Sequence, residues 1–197
     1  MALPTSKTDI CNLALSRIGS KTVTTAEITA GSGVVAPHCN RHYEQTRDAL
    51  LRSNNWGFAS ERATLVRGAI PPFEYDYSYK LPEDFLLLRS IYDSGEDDGV
   101  YRDQHAIEGK QILSNEDACQ IKYVKDMTVK DFDPLFIEVL VLSLAVKLVM
   151  PLSQDRKLYA ELRDELKGVM SKARVVDKQE SNTVGRGGVT GWSNSRY

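Results

Sequence analysis

The apolar positions of this chain are densest between residues 134 and 151, where only Glu138, Ser143 and Lys147 interrupt the run. A helix that is apolar nearly all round has to be covered on nearly all sides. A membrane span needs about 20 apolar residues. This run is shorter, begins and ends with proline, and contains two ionisable side chains. It therefore predicts a buried central helix with Asp133 as its N-cap.

Four side chains are predicted to form the centre of the core. Leu140 and Leu144 lie one turn apart in the middle of the predicted central helix. Trp56 and Phe58 follow a predicted helix end, where one face of the central helix still needs a cover. We expect this aromatic pair to hold the second helix against the central one.

Two helices are predicted before the β region. The first covers residues 10–18, with Asp9 as its cap, and the second covers residues 37–53. Between them, residues 21–34 are rich in Thr, Ala and Gly, which predicts an exposed connection. The inward stripe of the second helix consists of Cys39, Tyr43, Thr46 and Leu50.

The pattern changes to β-strand spacing from about residue 62. Tyrosines alternate with polar residues over residues 75–80, which predicts three rings on one face of a strand. Residues 85–92 predict a further strand, residues 95–99 a turn, and residues 108–111 the tip of a hairpin. A last strand places Ile121 and Tyr123 on one face.

The order helix, sheet, helix predicts an α+β fold. Residues 1–60 and 130–180 form a helical bundle in this prediction, with a small antiparallel β-sheet inserted over residues 61–129. A long amphipathic C-terminal helix follows, and residues 181–197 form an extended C-terminal arm. The arm is rich in Gly, Ser and Asn and is too polar to form a core of its own.

The long helix is predicted over residues 153–179 and has a narrow apolar seam at spacings of three and four residues. The seam consists of Leu158, Leu162, Leu166, Val169, Ala173 and Val176. The seam packs either against the central helix or against another subunit, and each of the two contacts can occupy a different part of the helix. Leu158, Leu162, Leu166 and Val169 are the candidate subunit-interface residues.

Composition and charge narrow the class of protein. The 197 residues are 42% hydrophobic and 26% charged, which is typical of a soluble globular protein. A formal net charge of −2 argues against a protein whose main task is to bind phosphates. The three cysteines are far apart, which favours buried thiols in a reducing compartment. Residues 1–7 contain no apolar stretch of the kind found in secretion signals.

Motifs for catalysis or metal binding are weak. His38 and His42 are one helical turn apart, but no third ligand or general base accompanies them. The acidic run at residues 93–98 lacks the ligand spacing of a calcium loop. Residues 185–188 are a single Gly-Arg-Gly-Gly copy, a weak nucleic-acid signal. We therefore predict no catalytic residue, no metal and no cofactor, and a structural or assembly role.

The order of landmarks resembles a protein family. The landmarks are Asn12-Leu13-Ala14-Leu15, Ile18-Gly19, Tyr43, Arg47, Leu50-Leu51, Trp56-Gly57-Phe58-Ala59, Leu81-Pro82-Glu83-Asp84, Ile121, Tyr123, and Phe132-Asp133-Pro134-Leu135-Phe136 before Ala145. Together they are similar to the head–tail connector, or adaptor, proteins of tailed bacteriophages, of the tail-tubular-protein-A type.

The resemblance implies a structural virion protein rather than an enzyme. Its copies would form a ring, typically a dodecamer, between the portal of the filled head and a tail or nozzle protein. The ring would be assembled in the host cytoplasm and lie in the virion neck. Its channel would pass double-stranded DNA during genome ejection, without sequence-specific binding and without a membrane.

In such proteins the β part faces the tail, and the C-terminal segment reaches the portal or a neighbouring subunit. The corresponding partner-binding residues here are Val184, Arg186, Val189, Trp192, Arg196 and Tyr197. Two other functions stay open at this point: a nucleic-acid-binding module, and a small metal-dependent enzyme.

Overall fold

The computed structural model describes residues 3–71, 73–92 and 105–181. Within these ranges the α-helices are α1 (Lys7–Arg17), α2 (Thr25–Ala30), α3 (Ala36–Ser53), α4 (Pro134–Leu152) and α5 (Arg156–Ser181). The strands are β1 (Ser60–Thr64), β2 (Val66–Arg67), β3 (Tyr77–Lys80), β4 (Phe85–Tyr92), β5 (Ala106–Glu108), β6 (Gln111–Ser114) and β7 (Gln120–Lys125). A short 3-10 helix lies at Val129–Asp131. The predicted α+β class is confirmed, with the β elements between the helices.

Helix α4 is the predicted central helix. The Asp133 side chain caps it by accepting hydrogen bonds from the backbone N–H groups of Leu135 at 2.8 Å and Phe136 at 3.2 Å. Leu140 and Leu144 are fully buried in the helical core. The helix continues one residue past Pro151, because a proline in the last turn removes only its own N–H from the hydrogen-bond ladder.

The surroundings of α4 match those of a core helix. Among the described residues it is the one helix long and apolar enough to cross a membrane, with a mean hydropathy of 2.3. Of that apolar stretch, 61% is buried inside the protein. Helices α1, α3 and α5 pack against it and supply this cover.

The N-terminal helices differ from the prediction in two places. Helix α1 starts earlier, since Ser6 is its N-cap and Asp9 closes a capping box by accepting from the Ser6 N–H at 3.0 Å. The predicted exposed connection contains α2, which has a capping box of its own. The Glu27 carboxylate accepts from the Thr24 N–H at 2.7 Å, and Gly31 ends the helix with a φ of 61°.

The β region contains two antiparallel sheets where one was predicted. The first has the strand order β1-β7-β4 and the second has the order β2-β3-β6-β5. The chain passes between them at Leu65, a buried residue between β1 and β2. The predicted hairpin tip is confirmed, because Glu108 pairs with Gln111 across a two-residue loop in which Gly109 has a φ of 59°.

The predicted tyrosine face is only partly correct. Strand β3 begins at Tyr77, so Tyr75 lies before it. Tyr79 is buried, and so is Ser78 on the opposite face. The chain after β2 covers this face, and the Ser78 hydroxyl donates to the Ala69 carbonyl oxygen at 2.5 Å.

The three-stranded sheet is covered on both faces. On β7, Val124 belongs to the helical core, whereas Ile121 and Tyr123 belong to a second core shared with the other sheet. Tyr79 and Ile112 enter this second core from β3 and β6. The protein is therefore layered as helices, first sheet and second sheet.

Arg47 connects the helices to the first sheet. Its side chain is only 17% exposed, and its guanidinium lies 3.0 Å from a carboxylate oxygen of Asp126, just after β7. Glu44 at 3.0 Å and Asp48 at 2.8 Å contact the same side chain from α3. These carboxylates accept hydrogen bonds from the half-buried guanidinium. Arg47 and its three partners therefore hold the helical bundle against the first sheet.

Candidate interaction surfaces

The seam of α5 packs along α4 in the same chain. Leu162 is 4% exposed, and Leu158, Leu166 and Val169 are partly buried against the helical core. Helix α5 starts at Arg156, three residues later than predicted, because the Asp155 side chain accepts from the N–H groups of Lys157 and Leu158. The candidate subunit-interface residues therefore contact their own core. Another copy would meet mainly the remaining faces of α5.

The C-terminal half of α5 is fastened to the corner after α3. Asp177 is 9% exposed, and its carboxylate accepts a hydrogen bond from the Gly57 N–H at 2.7 Å. Burial raises the pKa of Asp177, the Gly57 N–H lowers it, and the charge of Asp133 raises it further. The neighbouring Trp56 is buried and Phe58 is partly buried, so this corner joins α3, α4 and α5.

Replacing Asp177 by asparagine is expected to change the pH dependence of stability. Because the pKa of this acid is raised in the folded protein, its contribution to stability is largest at acidic pH and is lost as the pH rises through the folded pKa. Asp177→Asn keeps an acceptor for Gly57 without the charge. The free energy of unfolding of the variant, relative to wild type, should therefore rise between about pH 4 and neutral pH.

Denaturant unfolding at the two pH values measures this difference. Asp164→Asn is the matched control, because Asp164 is exposed on the same helix and its pKa is lowered by Lys167. The free energy of unfolding of Asp164→Asn, relative to wild type, should fall between the same two pH values. If the difference in free energy of unfolding between Asp177→Asn and wild type does not change with pH, the buried charge of Asp177 does not destabilise this corner.

A second exposed surface lies in β2 and the chain that follows it. Val66 is 76% exposed, Ile70 81% and Phe73 77%. We call this stretch the 66–73 segment. A groove of about 530 Å³ separates part of it from the hairpin at residues 108–111. The sequence signal for this surface is large apolar side chains beside prolines in a connection between strands, and the predictions above do not include it.

The helical spacing of His38 and His42 would allow a metal site, although none is predicted there. In the described part of the chain, no group of three or more His, Cys, Asp or Glu side chains could hold a metal ion. Burial lowers the pKa of His42, and the charges of Lys147 and Arg41 lower it further. Neighbouring cations also oppose the binding of a metal cation. The absence of a metal from the protein stays a prediction.

The three cysteines are buried thiols in this fold. Cys11 and Cys39 are fully buried in the helical core, and Cys119 lies in the β core. Burial raises the pKa of Cys119 to about 11. A hydrogen bond with Cys39 and then burial raise the pKa of Cys11. All three thiols are buried and therefore lack the solvent exposure of a reactive nucleophile.

The predicted partner-binding residues of the arm lie outside the described residues. They are Val184, Arg186, Val189, Trp192, Arg196 and Tyr197. The acidic run at residues 93–98 and the predicted turn at residues 95–99 lie outside them too. These assignments stay predictions.

Comparison with known proteins leaves the family open. No protein-family model matches the chain, and no curated protein shows significant similarity to it. The landmarks of the resemblance include buried residues such as Trp56, Tyr123 and Phe136. Their burial shows how the chain packs, whereas contacts with other molecules depend on its exposed surfaces.

Proposed function

We propose that this chain is a structural protein of a bacteriophage virion. Its copies form a ring that joins the portal of the DNA-filled head to the tail and continues the DNA channel. Its partners are the portal protein, a tail or nozzle protein and further copies of itself. Double-stranded DNA passes through the ring without sequence-specific contacts, and the protein acts without a cofactor.

The observation that carries this proposal is the exposed apolar surface of the 66–73 segment. Monomeric proteins rarely leave large contiguous apolar surface in water, and patches of this kind often mark protein–protein contacts. Ile70 and Phe73 are more than three-quarters exposed, although each would gain about 1.5–3 kcal/mol from full burial. A partner protein that covers them would recover this free energy.

The position of the segment suggests which partner covers it. It starts in β2 of the second sheet and continues into the connection to β3, and the core of this sheet is separate from the helical core. In the connector family that the landmarks resemble, the β part faces the tail. We therefore assign the 66–73 segment to the tail-side partner and the helical bundle to contacts within the ring.

The overall charge is compatible with a channel for DNA. A net charge of −2 over 197 residues gives no general excess of cations. Many phosphate contacts would bind DNA tightly and slow its passage, because each contact adds to the counterion-release term. A nearly neutral ring would let the duplex slide.

The double variant Ile70→Ser/Phe73→Ser tests the assignment of the segment. Its stability should stay within about 1 kcal/mol of wild type, since surface substitutions usually change stability by about 0.5 kcal/mol or less each. It should still join portal-bearing heads, and those heads should fail to acquire tails. Electron micrographs of assembly mixtures give the fraction of tailed particles.

The matched control is Val34→Ser, because Val34 is a 78% exposed apolar residue in the helical part of the chain. This variant should yield wild-type numbers of tailed particles. If the double variant and the control attach tails equally well, the 66–73 segment is not part of the tail contact.

A further inference from the structure

The C-terminal half of α5 exposes more positive charge than its sequence indicates. Of its two acids, Asp177 is buried and bound to Gly57, which leaves Glu180 as an exposed acid. The exposed bases of this half are Lys172, Arg174 and Lys178, and the exposed Lys167 lies just before it. The N-terminal half, in contrast, has four bases and three acids. A surplus of exposed cations therefore lies at one end of the helix.

Three of these bases share one face of the helix. Lys167, Ser171, Arg174 and Lys178 follow one another at spacings of four, three and four residues, which aligns them along a single stripe. Together with Met170 and Val175 they line an open groove of about 420 Å³. We call this surface the cationic face.

The cationic face is largely unpaired in the described part of the chain. Lys167 contacts Asp164 at 2.8 Å, but Arg174 and Lys178 have no carboxylate partner there. Val175 is 53% exposed beside them. Unpaired basic side chains next to exposed apolar surface suit a contact with an acidic protein segment.

The same sequence contains an acidic segment of matching charge. Asp93, Glu96, Asp97 and Asp98 give residues 93–98 four negative charges and no positive one. This segment follows β4, which ends at Tyr92.

Strand β4 carries the chain away from the corner to which Asp177 is fastened before this segment begins. Strand β4 pairs with β7 from Phe85 opposite Lys125 to Tyr92 opposite Gln120. Lys125 donates its N–H to the Ala59 carbonyl oxygen, so the Phe85 end lies at the corner to which Asp177 is fastened. Tyr92 is seven residues further along, which at about 3.3 Å per residue is at most about 23 Å, since β4 has two bulges.

We propose that the cationic face of α5 docks the acidic segment 93–98 of a second copy of this chain. The inference rests on the proposed ring and names a contact within it. Two different surfaces of one chain then meet head to tail, and a head-to-tail contact closes into a ring when its rotation is right. Exposed ion pairs are individually weak and are screened by salt. Because the same contact repeats around a ring, the ion pairs together can stabilise the ring, and this stabilisation should decrease as the salt concentration rises.

Zero-length cross-linking tests the contact directly. A mixture of unlabelled and heavy-isotope-labelled copies is treated with a carbodiimide, alone and with portal protein, and cross-linked peptides are identified by mass spectrometry. We expect mixed-isotope peptides that join residues 93–98 to Lys167 or Lys178. Peptides joined only within one copy, joined only to portal, or not joined at all would overturn the proposal.

Charge reversal gives a second readout. Arg174→Glu/Lys178→Glu and Glu96→Lys/Asp97→Lys should each lower the yield of mixed-isotope dimers about tenfold. The chain that carries both reversals should recover most of the yield, because attraction is restored with its sign exchanged. Lys157→Glu/Arg163→Glu, on exposed positions of the other half of α5, is the matched control and should change little.

These outcomes separate the inference from the proposed function. Rings that form on portal equally well with either single reversal would overturn the docking contact and leave the connector role intact. Mixed-isotope cross-links between the two surfaces, in a protein that forms no ring with portal, would support the contact and contradict the connector role.

Discussion

Replacing Trp56 by alanine is expected to lower the free energy of unfolding by about 3–5 kcal/mol. The side chain is 1% exposed, and its ring meets the Phe136 ring edge-on at a centroid distance of 5.2 Å. Its indole N–H donates to the Leu50 carbonyl oxygen at 2.8 Å, near the end of α3. Truncation would leave a cavity between α3 and α4 and remove the hydrogen bond of a buried carbonyl group.

Urea unfolding monitored by circular dichroism measures this loss. Phe73→Ala is a suitable control, because Phe73 is a 77% exposed aromatic residue and its truncation should cost about 0.5 kcal/mol or less. If both variants unfold at the wild-type urea concentration, the Trp56 corner does not hold the two helices together.

A chain that ends at Glu180 is expected to fold normally and fail to complete portal-bearing heads. The helices and strands described above are retained except for Ser181, the last residue of α5. The removed residues are spaced apolar and aromatic anchors among glycines and polar residues. Such a segment does not repay about 1–2 kcal/mol of backbone entropy per residue by itself. Docked on another subunit, aromatic anchors can supply the required burial.

The measurement compares portal affinity and DNA retention of heads for the truncated and full-length chains. Trp192→Ser/Tyr197→Ser in the full-length chain should reproduce most of the defect, because it removes both aromatic anchors. Thr190→Ala/Ser193→Ala changes two polar residues of the same stretch and should have little effect. If the truncated chain binds portal with wild-type affinity, the arm is not part of the portal contact.

The elements that the sequence predicts well have strong local patterns. The apolar density and the Asp133 cap identify α4, and the Gly109-Lys110 loop identifies the hairpin of the second sheet. Helix α2 was missed although Thr24 and Glu27 have capping-box spacing. A helix of six residues has too little periodicity to stand out from its Gly-rich surroundings.

The remaining features depend on contacts between distant parts of the chain. The split at Leu65 depends on how two sheets pack, since both strands flanking it are short. The cationic face becomes apparent only when Asp177 is found buried against Gly57, because the charges of α5 are more balanced in the sequence. Exposure of Ile70 and Phe73 is likewise a tertiary property, since the same residues in a loop are often covered.

The connector account is tested most directly by electron microscopy of the purified chain mixed with portal protein. It predicts closed rings of this chain stacked on the portal, with an open axial channel and a ring mass that is a whole multiple of one chain. Particles in which the portal carries no ring, with this chain remaining at the mass of a single copy in every mixture, would contradict it.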